Sequence, residues 1–522
     1  YIPAYVLVPF ETIDLGGLDL MSQLGFMQAM NFYSIYATLP VPTLDSDVGN
    51  TEFQMFTYGD DEDFTSDGGV YHAYSIWQDW LNWASNHWSS SGTTGQLARL
   101  LYDTLTNYPG TYHPFGIEVD PWVQALDASP PAASNYSSLS LDYYGTGISY
   151  AYVRKAWDKS STIAFLQMGS ADANHGGTGH FHDDQGSFSL WRNGYFVDRE
   201  TTCYGDKITG EPNLDSGANL GCSGQGYGPM GHNVVVFTNV VLGQKVDTTE
   251  LMPTHSKSGG PGVVHRLAST ANYFYGDTDL TNAYLFNSGF SADNTGVVGH
   301  VEREFIFVRP LETLVVLDRI LTQNQTVGGL LTASQVITTF VNHCEVNPTA
   351  VDSHHFTCND HGQVAAQTVL EPTSPTYRVI NERSCTRCSK AGQYRIDIDN
   401  SGTAHRYDLD VIQAYGSKSG CPLTATNEDS NTSDPTIGTF TVTLTPHSGS
   451  GCTTAGMATT IVFNKSLCSS GAGECSSGGT INVAGGGNVS LPTNIEPIAY
   501  TADGPVWGGV ADHDHYRLQT SR

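Results

Sequence analysis

Apolar positions along this chain change their period once, about a quarter of the way in. Leu20-Met21, Leu24, Met27, Met30, Tyr33 and Tyr36 recur three and four apart, and Pro40 closes the run. Tyr74, Trp77, Trp80-Leu81 and His87-Trp88 form a second stripe, and Leu97, Leu100-Leu101 and Thr104-Leu105 a third. This spacing predicts amphipathic helices whose aromatic and aliphatic faces are core. The Pro- and Ser-rich stretch from Asp127 to Ser138 reads as a linker. Beyond it the pattern becomes that of strands, at Ile163–Leu166, Val234–Phe237, Phe305–Val308 and Leu314–Leu317. From about residue 346 the chain is less regular, with alternating strands at Thr439–Thr445 and Thr459–Phe463 and Gly/Ser-rich closures. The pattern predicts a multidomain α+β protein in three parts: helices over 1–140, a sheet domain over 141–345, and a second, Cys-containing β-sandwich over 346–522. A chain of 522 residues is long enough for two to four domains, and no internal repeat is evident.

Composition narrows the function. Lys plus Arg number 23 against 52 Asp plus Glu, a formal net charge of −29. That balance argues against nucleic acid and anionic membrane surfaces as partners, since both reward basic patches. A locally basic groove remains compatible with it. No apolar run approaches the roughly 18 residues that a membrane span needs. Ten cysteines, abundant Gly, Ser and Thr, and N-x-S/T sequences at Asn135, Asn324, Asn431, Asn464 and Asn488 suggest a secreted, periplasmic or cell-surface protein. Cys203 and Cys222 flank a Gly-rich loop, as do Cys468 and Cys475, so each pair is expected to close its loop as a disulfide. Cys385 and Cys388, with Cys358 nearby, are read as disulfide partners in preference to a zinc knot, because the spacing does not fit a paired zinc ribbon. The chain begins at Tyr1, with neither a methionine nor a signal peptide, and is expected to be a processed or partial chain.

The densest chemistry lies between His175 and Asp198. His180, His182, Asp183, Asp184 and Gly186 precede Phe188–Arg192, the turn pair Asn193-Gly194, and Tyr195–Asp198. Asn-Gly between two alternating runs is a strong hairpin signal. The return strand would bring Asp198 back to the level of His182 and Asp184. Residues two apart on a strand share a face, so His180 and His182 can project together if that segment is extended. Two imidazoles and a returning carboxylate make a three-ligand metal shell, and His232, before Val234–Phe237, offers a further nitrogen. An H-x-H pair alone is weak, and in a chain with 18 histidines most are ordinary polar residues.

The segment His180-Phe-His182-Asp-Asp184-Gln-Gly186-Ser187-Phe188, with its hairpin, resembles the signature of the heparinase II/III-like polysaccharide lyases. Later blocks follow in that family's order: His232-Asn233, Gly276–Tyr284, Arg303–Pro310, Val315–Arg319 and His343. Upstream, Tyr152–Trp157 is similar to the strand that opens its sheet domain, so the resemblance covers about residues 140 to 345. It implies that residues 1–140 are the C-terminal part of an (α/α) toroid, followed by antiparallel β-sandwich domains. A full toroid needs more helices than this segment holds. The rest is expected on a separate N-terminal fragment of the same precursor.

The resemblance further implies β-elimination on an acidic, uronic-acid-containing polysaccharide. The proton at C5 is removed, the oxygen at C4 leaves, and a 4,5-unsaturated end remains. Such a site needs a base, an acid and neutralisation of the uronate carboxylate. His180 then matches the catalytic imidazole, while His182, Asp198 and His232 match the metal-binding positions, for a structural zinc. Asp184 is expected to orient a ligand or loop, and Gly186 to let the backbone turn. The family's catalytic tyrosine has no clear counterpart. Tyr5 is the nominee, Tyr33 and Tyr36 being as easily core. Surface aromatics of the helical part would stack on sugar rings. The competing expectation is a non-catalytic, lyase-derived protein that binds carbohydrate or forms an extracellular homo-oligomer or assembly.

Overall fold

The computed structural model of the chain describes residues 16–17, 25–44, 51–56, 73–88, 92–106, most of 135–169, 182, 184–201, short pieces of 207–245, then 262–284, 297–324, 332–385, 390–417, 421–447, 457–466, most of 469–499, and 506–507. Among the described residues three helices occupy the N-terminal part, α1 (Gly25–Ala37), α2 (Ala73–His87) and α3 (Gly92–Thr106). They coincide with the three predicted stripes. Trp80, Leu81, Trp88, Leu97, Leu101 and Leu105 are all buried, with the Trp80, Trp83 and Trp88 rings packed together. Tyr36 is fully buried, and its hydroxyl donates to the Ser140 carbonyl at 2.8 Å. Tyr33 packs edge-on against Tyr143 and Tyr152. Both tyrosines therefore serve as packing. Three helices do not make a toroid, and among the described residues none is formed.

Most of the other described residues form antiparallel β structure, with one short helix at Thr281–Tyr284. Strands β1 (Asp142–Gly145), β2 (Tyr150–Arg154), β3 (Thr162–Gln167), β4 (Phe188–Arg192) and β5 (Tyr195–Asp198) form a five-stranded meander. Next in the chain come β6 (Val235–Phe237), β7 (Val263–Ser269), β8 (Tyr273–Asp279), β9 (Val298–Val308), β10 (Thr313–Thr322) and β11 (Thr338–Cys344). They are followed by β12 (Thr349–Ala350), β13 (His355–Asp360), β14 (Gln363–Glu371), β15 (Thr376–Asn381), β16 (Tyr394–Asn400) and β17 (His405–Gly416). An eight-stranded sheet runs β7-β8-β9-β10-β17-β14-β13-β12, and a four-stranded sheet runs β6-β11-β16-β15. Both contain strands from either side of residue 345. A last meander comprises β18 (Leu423–Asp429), β19 (Thr439–Pro446), β20 (Thr459–Asn464), β21 (Gly479–Val483) and β22 (Val489–Ser490).

The eight-stranded sheet is covered on both faces, which is why every residue of β9 is buried. Along β9, Phe305 and Phe307 join a core shared with the helices, the first meander and the four-stranded sheet. Ile306 and Val308 turn the other way, onto Phe440, Val442 and Ile461 of the last meander. A sheet buried twice reads as a continuous apolar run, as Phe305–Val308 and Leu314–Leu317 do. Charges inside it are paired across strands. Arg303 holds Asp318 through two bonds of 2.6 and 2.8 Å, Arg319 pairs with Glu304, and Arg266 meets Asp277 at 3.0 Å.

Cysteine pairing departs from the local expectation. Cys222 bonds Cys385, 163 residues away, and not Cys203; Cys344 bonds Cys358. Nearness in the chain favours a local pair, but tertiary folding places the Cys222 and Cys385 Cα atoms 5.4 Å apart, within disulfide reach. With Cys385 and Cys358 both in disulfides, neither serves a zinc knot. Cys475 is also disulfide-bonded, while Cys203, Cys388 and Cys468 lie outside the described residues.

Candidate functional site

The hairpin forms as its sequence predicts. Asn193 and Gly194 both take positive φ, 47° and 91°, the pair of left-handed residues that a type I′ turn requires. Asp198 pairs with Leu190, one register shift from the tip. Gly186 takes φ 88°, and a Cβ there would lie 2.5 Å from Leu280 Cδ1, so this turn needs glycine on both counts.

From this base a buried polar hub is assembled. His182, Asp198, Glu200 and His232 are each no more than 1% exposed. The His182 and His232 ring centroids are 5.1 Å apart. His232 Nδ1 faces Glu200 Oε2 at 3.0 Å, which fixes the ring and directs Nε2 away from the carboxylate. Glu200 is held in turn by the Gln167 side-chain amide and the Ser187 hydroxyl. Asn233 ties the pieces together: its side-chain amide donates to Asp198 Oδ1 at 2.7 Å and to the Phe188 carbonyl at 2.8 Å, and its Oδ1 meets His343 Nδ1 at 2.8 Å. Behind it, Arg303 donates to the backbone carbonyls of Gly186 and Asn233.

The hub holds its carboxylates without a built-in cation, as the eight-stranded sheet does at Asp408 and Asp410. Among the described residues neither Asp198 nor Glu200 has an Arg or Lys partner; their contacts are amides, a hydroxyl and an imidazole. Burial, the largest cause, pushes the Asp198 carboxyl well above the usual carboxylate range. The Asn342 and Asn233 side chains pull it down, while the charges of Glu200 and Glu345 push it further up. Asp198 Oδ2 is buried without a hydrogen-bond partner among the described residues. Two imidazoles and a carboxylate are donor types that suit zinc, but the described positions do not bring His182, Asp198 and His232 together as three ligand atoms within 4.8 Å of one another. A cation there would supply the charge that the protein does not.

The structure thus brings His182 and His232 side by side and sets Asp198 and His232 around Asn233. Among the described residues, two groups place three ligand-type atoms within 4.8 Å of one another, His300/Glu302/Cys475 and Asp277/Glu302/Glu304. Neither includes His182, Asp198 or His232. Cys475 is spent in a disulfide, and Arg266 and Arg319 already occupy the second group. His180 and Tyr5, the expected catalytic pair, lie outside the described residues. Asp184 is buried, and its carbonyl accepts from the Ser187 amide at 2.8 Å. Glu200 escaped the sequence reading, although its position two residues past Asp198 was a usable signal for a shared face. The roles of Gln167 and Asn342 had no local signal, because both arrive from other strands.

No family model matches the chain, and no curated protein matches it. Several solved structures align with the chain at TM-scores below 0.5. Heparan sulfate lyase HepC from Pedobacter heparinus aligns at 11% identity and a TM-score of 0.43, over 77% of this chain and 50% of its own. A heparinase III structure aligns at 12% identity and 0.46, over 88% of this chain and 59% of its own. A second heparinase III, the BT4657 gene product, aligns at 13% identity and 0.45, over 79% and 50%. This chain therefore spans little more than half the length of the structures it aligns with.

Proposed function

We propose that this chain is the sheet-bearing part of an exported polysaccharide lyase that cleaves a uronic-acid polymer by β-elimination. The observation that carries the reading is the hub itself. Two histidines and two carboxylates are buried together with no Arg or Lys on either carboxylate among the described residues, at the end of the segment whose sequence resembles a lyase signature. Burial of such groups costs several kcal/mol unless a proton or a metal compensates them.

In this reading His182, Asp198 and His232 hold zinc, with Glu200 orienting His232 through Nδ1. When bound, the ion supplies fixed positive charge that braces the hairpin against β6 and β11; elimination needs no metal-activated water. His180, two residues before His182 in the chain, is the proposed imidazole that exchanges the proton at C5 or at the leaving C4 oxygen. Tyr5 is the proposed second proton-transfer group, in the helical part of 1–140. The sheet part (141–345) carries the hub, and 346–522 supports it. Export fits the disulfides Cys222–Cys385 and Cys344–Cys358. No helix among the described residues is long and apolar enough to cross a membrane.

The test is a screen of uronic-acid polysaccharides for 4,5-unsaturated ends by ultraviolet absorbance, with the chain alone and with its co-purifying fragments. Product that disappears in His180→Ala supports the lyase. Binding of the same polymers with no product under either condition overturns it in favour of a non-catalytic carbohydrate-binding protein.

A further inference from the structure

Next to the hub lies a cavity of about 500 Å³ that the reaction scheme does not use. Its size is that of a small-ligand site, roughly 300–1,000 Å³. Three of its thirteen lining residues, Arg199, Arg383 and Lys390, are cationic, in a chain with only 23 Lys plus Arg among 522 residues. Its two acidic residues are both engaged: Glu345 lies 3.8 Å from Arg199, and Asp360 pairs with His361 at 2.6 Å. The wall therefore carries a local positive surplus inside a protein of net charge −29.

The same wall offers a flat face. Tyr195 and His361 stack with centroids 4.8 Å apart and planes 14° from parallel. Arg199 is itself fixed, buried with its guanidinium 4.3 Å above the Phe196 ring. Arg383, an exposed side chain on the cavity wall, donates to the Tyr394 hydroxyl at 3.3 Å. Both disulfides brace these positions. Cys344 adjoins Glu345 and is tied to Cys358, on the strand that leads to Asp360 and His361, while Cys385 lies two residues after Arg383. Covalently stiffened loops bearing cations around a ring platform form a preorganised site, which reduces the ordering cost of binding.

We propose that this cavity binds one anionic sugar unit, its acid group met by Arg383 and Lys390 with Arg199 behind, and one ring face laid on the Tyr195–His361 stack. Cations select the acid, and an aromatic face selects a ring with axial C–H groups over a compact inorganic anion. The site is distinct from the hub, yet it shares two chain segments with it. Asp198 and Glu200 face the hub while Arg199, between them, lines the cavity. His343 contacts Asn233 while Glu345 lines the cavity. The inference deepens the lyase reading by giving the polymer a second, non-reacting subsite, and it rests on that reading only for the choice of probe.

The experiment is calorimetric titration of the full chain with a uronic-acid tetrasaccharide, its carboxyl-reduced neutral counterpart, and sodium sulfate. The charged tetrasaccharide should bind with an affinity that falls as salt rises. The neutral form should bind at least about tenfold more weakly, a difference of about 1.4 kcal/mol. The double variant Arg383→Ala/Lys390→Ala changes only exposed side chains and should keep its far-ultraviolet circular dichroism while losing at least about tenfold in affinity; Tyr195→Leu should lose less. Unchanged affinity in the double variant, equal binding of the neutral sugar, or displacement by sulfate at equal concentration would each overturn the site. A chain that yields unsaturated product while the double variant binds like the wild type keeps its proposed function and loses this cavity. A chain that binds through Arg383 and Lys390 but makes no product keeps the cavity and loses the lyase.

Discussion

Two regions of this molecule bury carboxylates, and they do so by different means. In the eight-stranded sheet, Asp318, Glu304 and Asp277 each meet an arginine, Arg303, Arg319 and Arg266 respectively. In the hub below the hairpin, Asp198 and Glu200 meet only amides, a hydroxyl and an imidazole among the described residues. A guanidinium is a permanent cation, so the first arrangement is complete without any ligand. The second is short of positive charge and must take it from a proton or a bound ion. The division is not absolute: Asp408 and Asp410 of the same sheet are buried on the Asn400 and Gln367 side chains and share the hub's shortage of positive charge.

The largest effect expected from disturbing this contrast is at Arg303. Arg303→Met removes the cation from Asp318 and the donors from two backbone carbonyls, and breaking one member of a buried pair typically costs about 3–5 kcal/mol. Denaturant unfolding monitored by tryptophan fluorescence should show that loss. A cost under about 1 kcal/mol would mean that the sheet's pairs are no more structural than the hub.

Asp408, opposite Asp318 in the sheet register, sharpens the comparison through pH. Burial, reinforced by the charge of Asp318, pushes its carboxyl up to about 7. The folded chain then holds this proton after the unfolded chain, at 3.8, has released it. Stability on this account is greatest below about pH 4 and is lost as pH rises through about 7. Each tenfold difference in proton affinity between the two states is worth about 1.4 kcal/mol, so the whole loss is on the order of 4 kcal/mol. Asp408→Asn should flatten that slope in thermal melts between about pH 4.5 and 8, and an unaltered slope would remove Asp408 as its source.

At the hub, metal analysis should find zinc on the purified chain, and chelation should lower its melting temperature at neutral pH. Glu200→Gln, which alters the partner of His232 Nδ1 together with the acceptor of Gln167 and Ser187, should weaken zinc retention by roughly ten- to a hundredfold. If chelator-treated protein melts unchanged and no variant alters metal content, the missing charge at the hub is a proton. The smallest effect is at the turn, where Gly194→Ala should cost on the order of 1 kcal/mol because φ is 91° there.

Much of this was legible in the residues themselves. The three helices, the hairpin with its Asn193-Gly194 turn, and the strands through Val235, Phe305 and Val315 lie where local pattern placed them. Each depends on forces that act over a few positions: periodic burial, a turn that needs positive φ, and glycine where a side chain cannot fit. The (α/α) toroid did not emerge from the described helices, and the pairing of Cys222 with Cys385 defied the local loop argument.

What the sequence determined alone is therefore the set of elements, because periodicity and turn propensity are properties of neighbours in the chain. The tertiary structure decided which polar groups face one another. Glu200 behind His232, Asn342 beside Asp198 and Arg383 across from Tyr195 belong to strands and loops far apart in the chain. Only packing in three dimensions settles whether a buried carboxylate finds an arginine or is left short of charge.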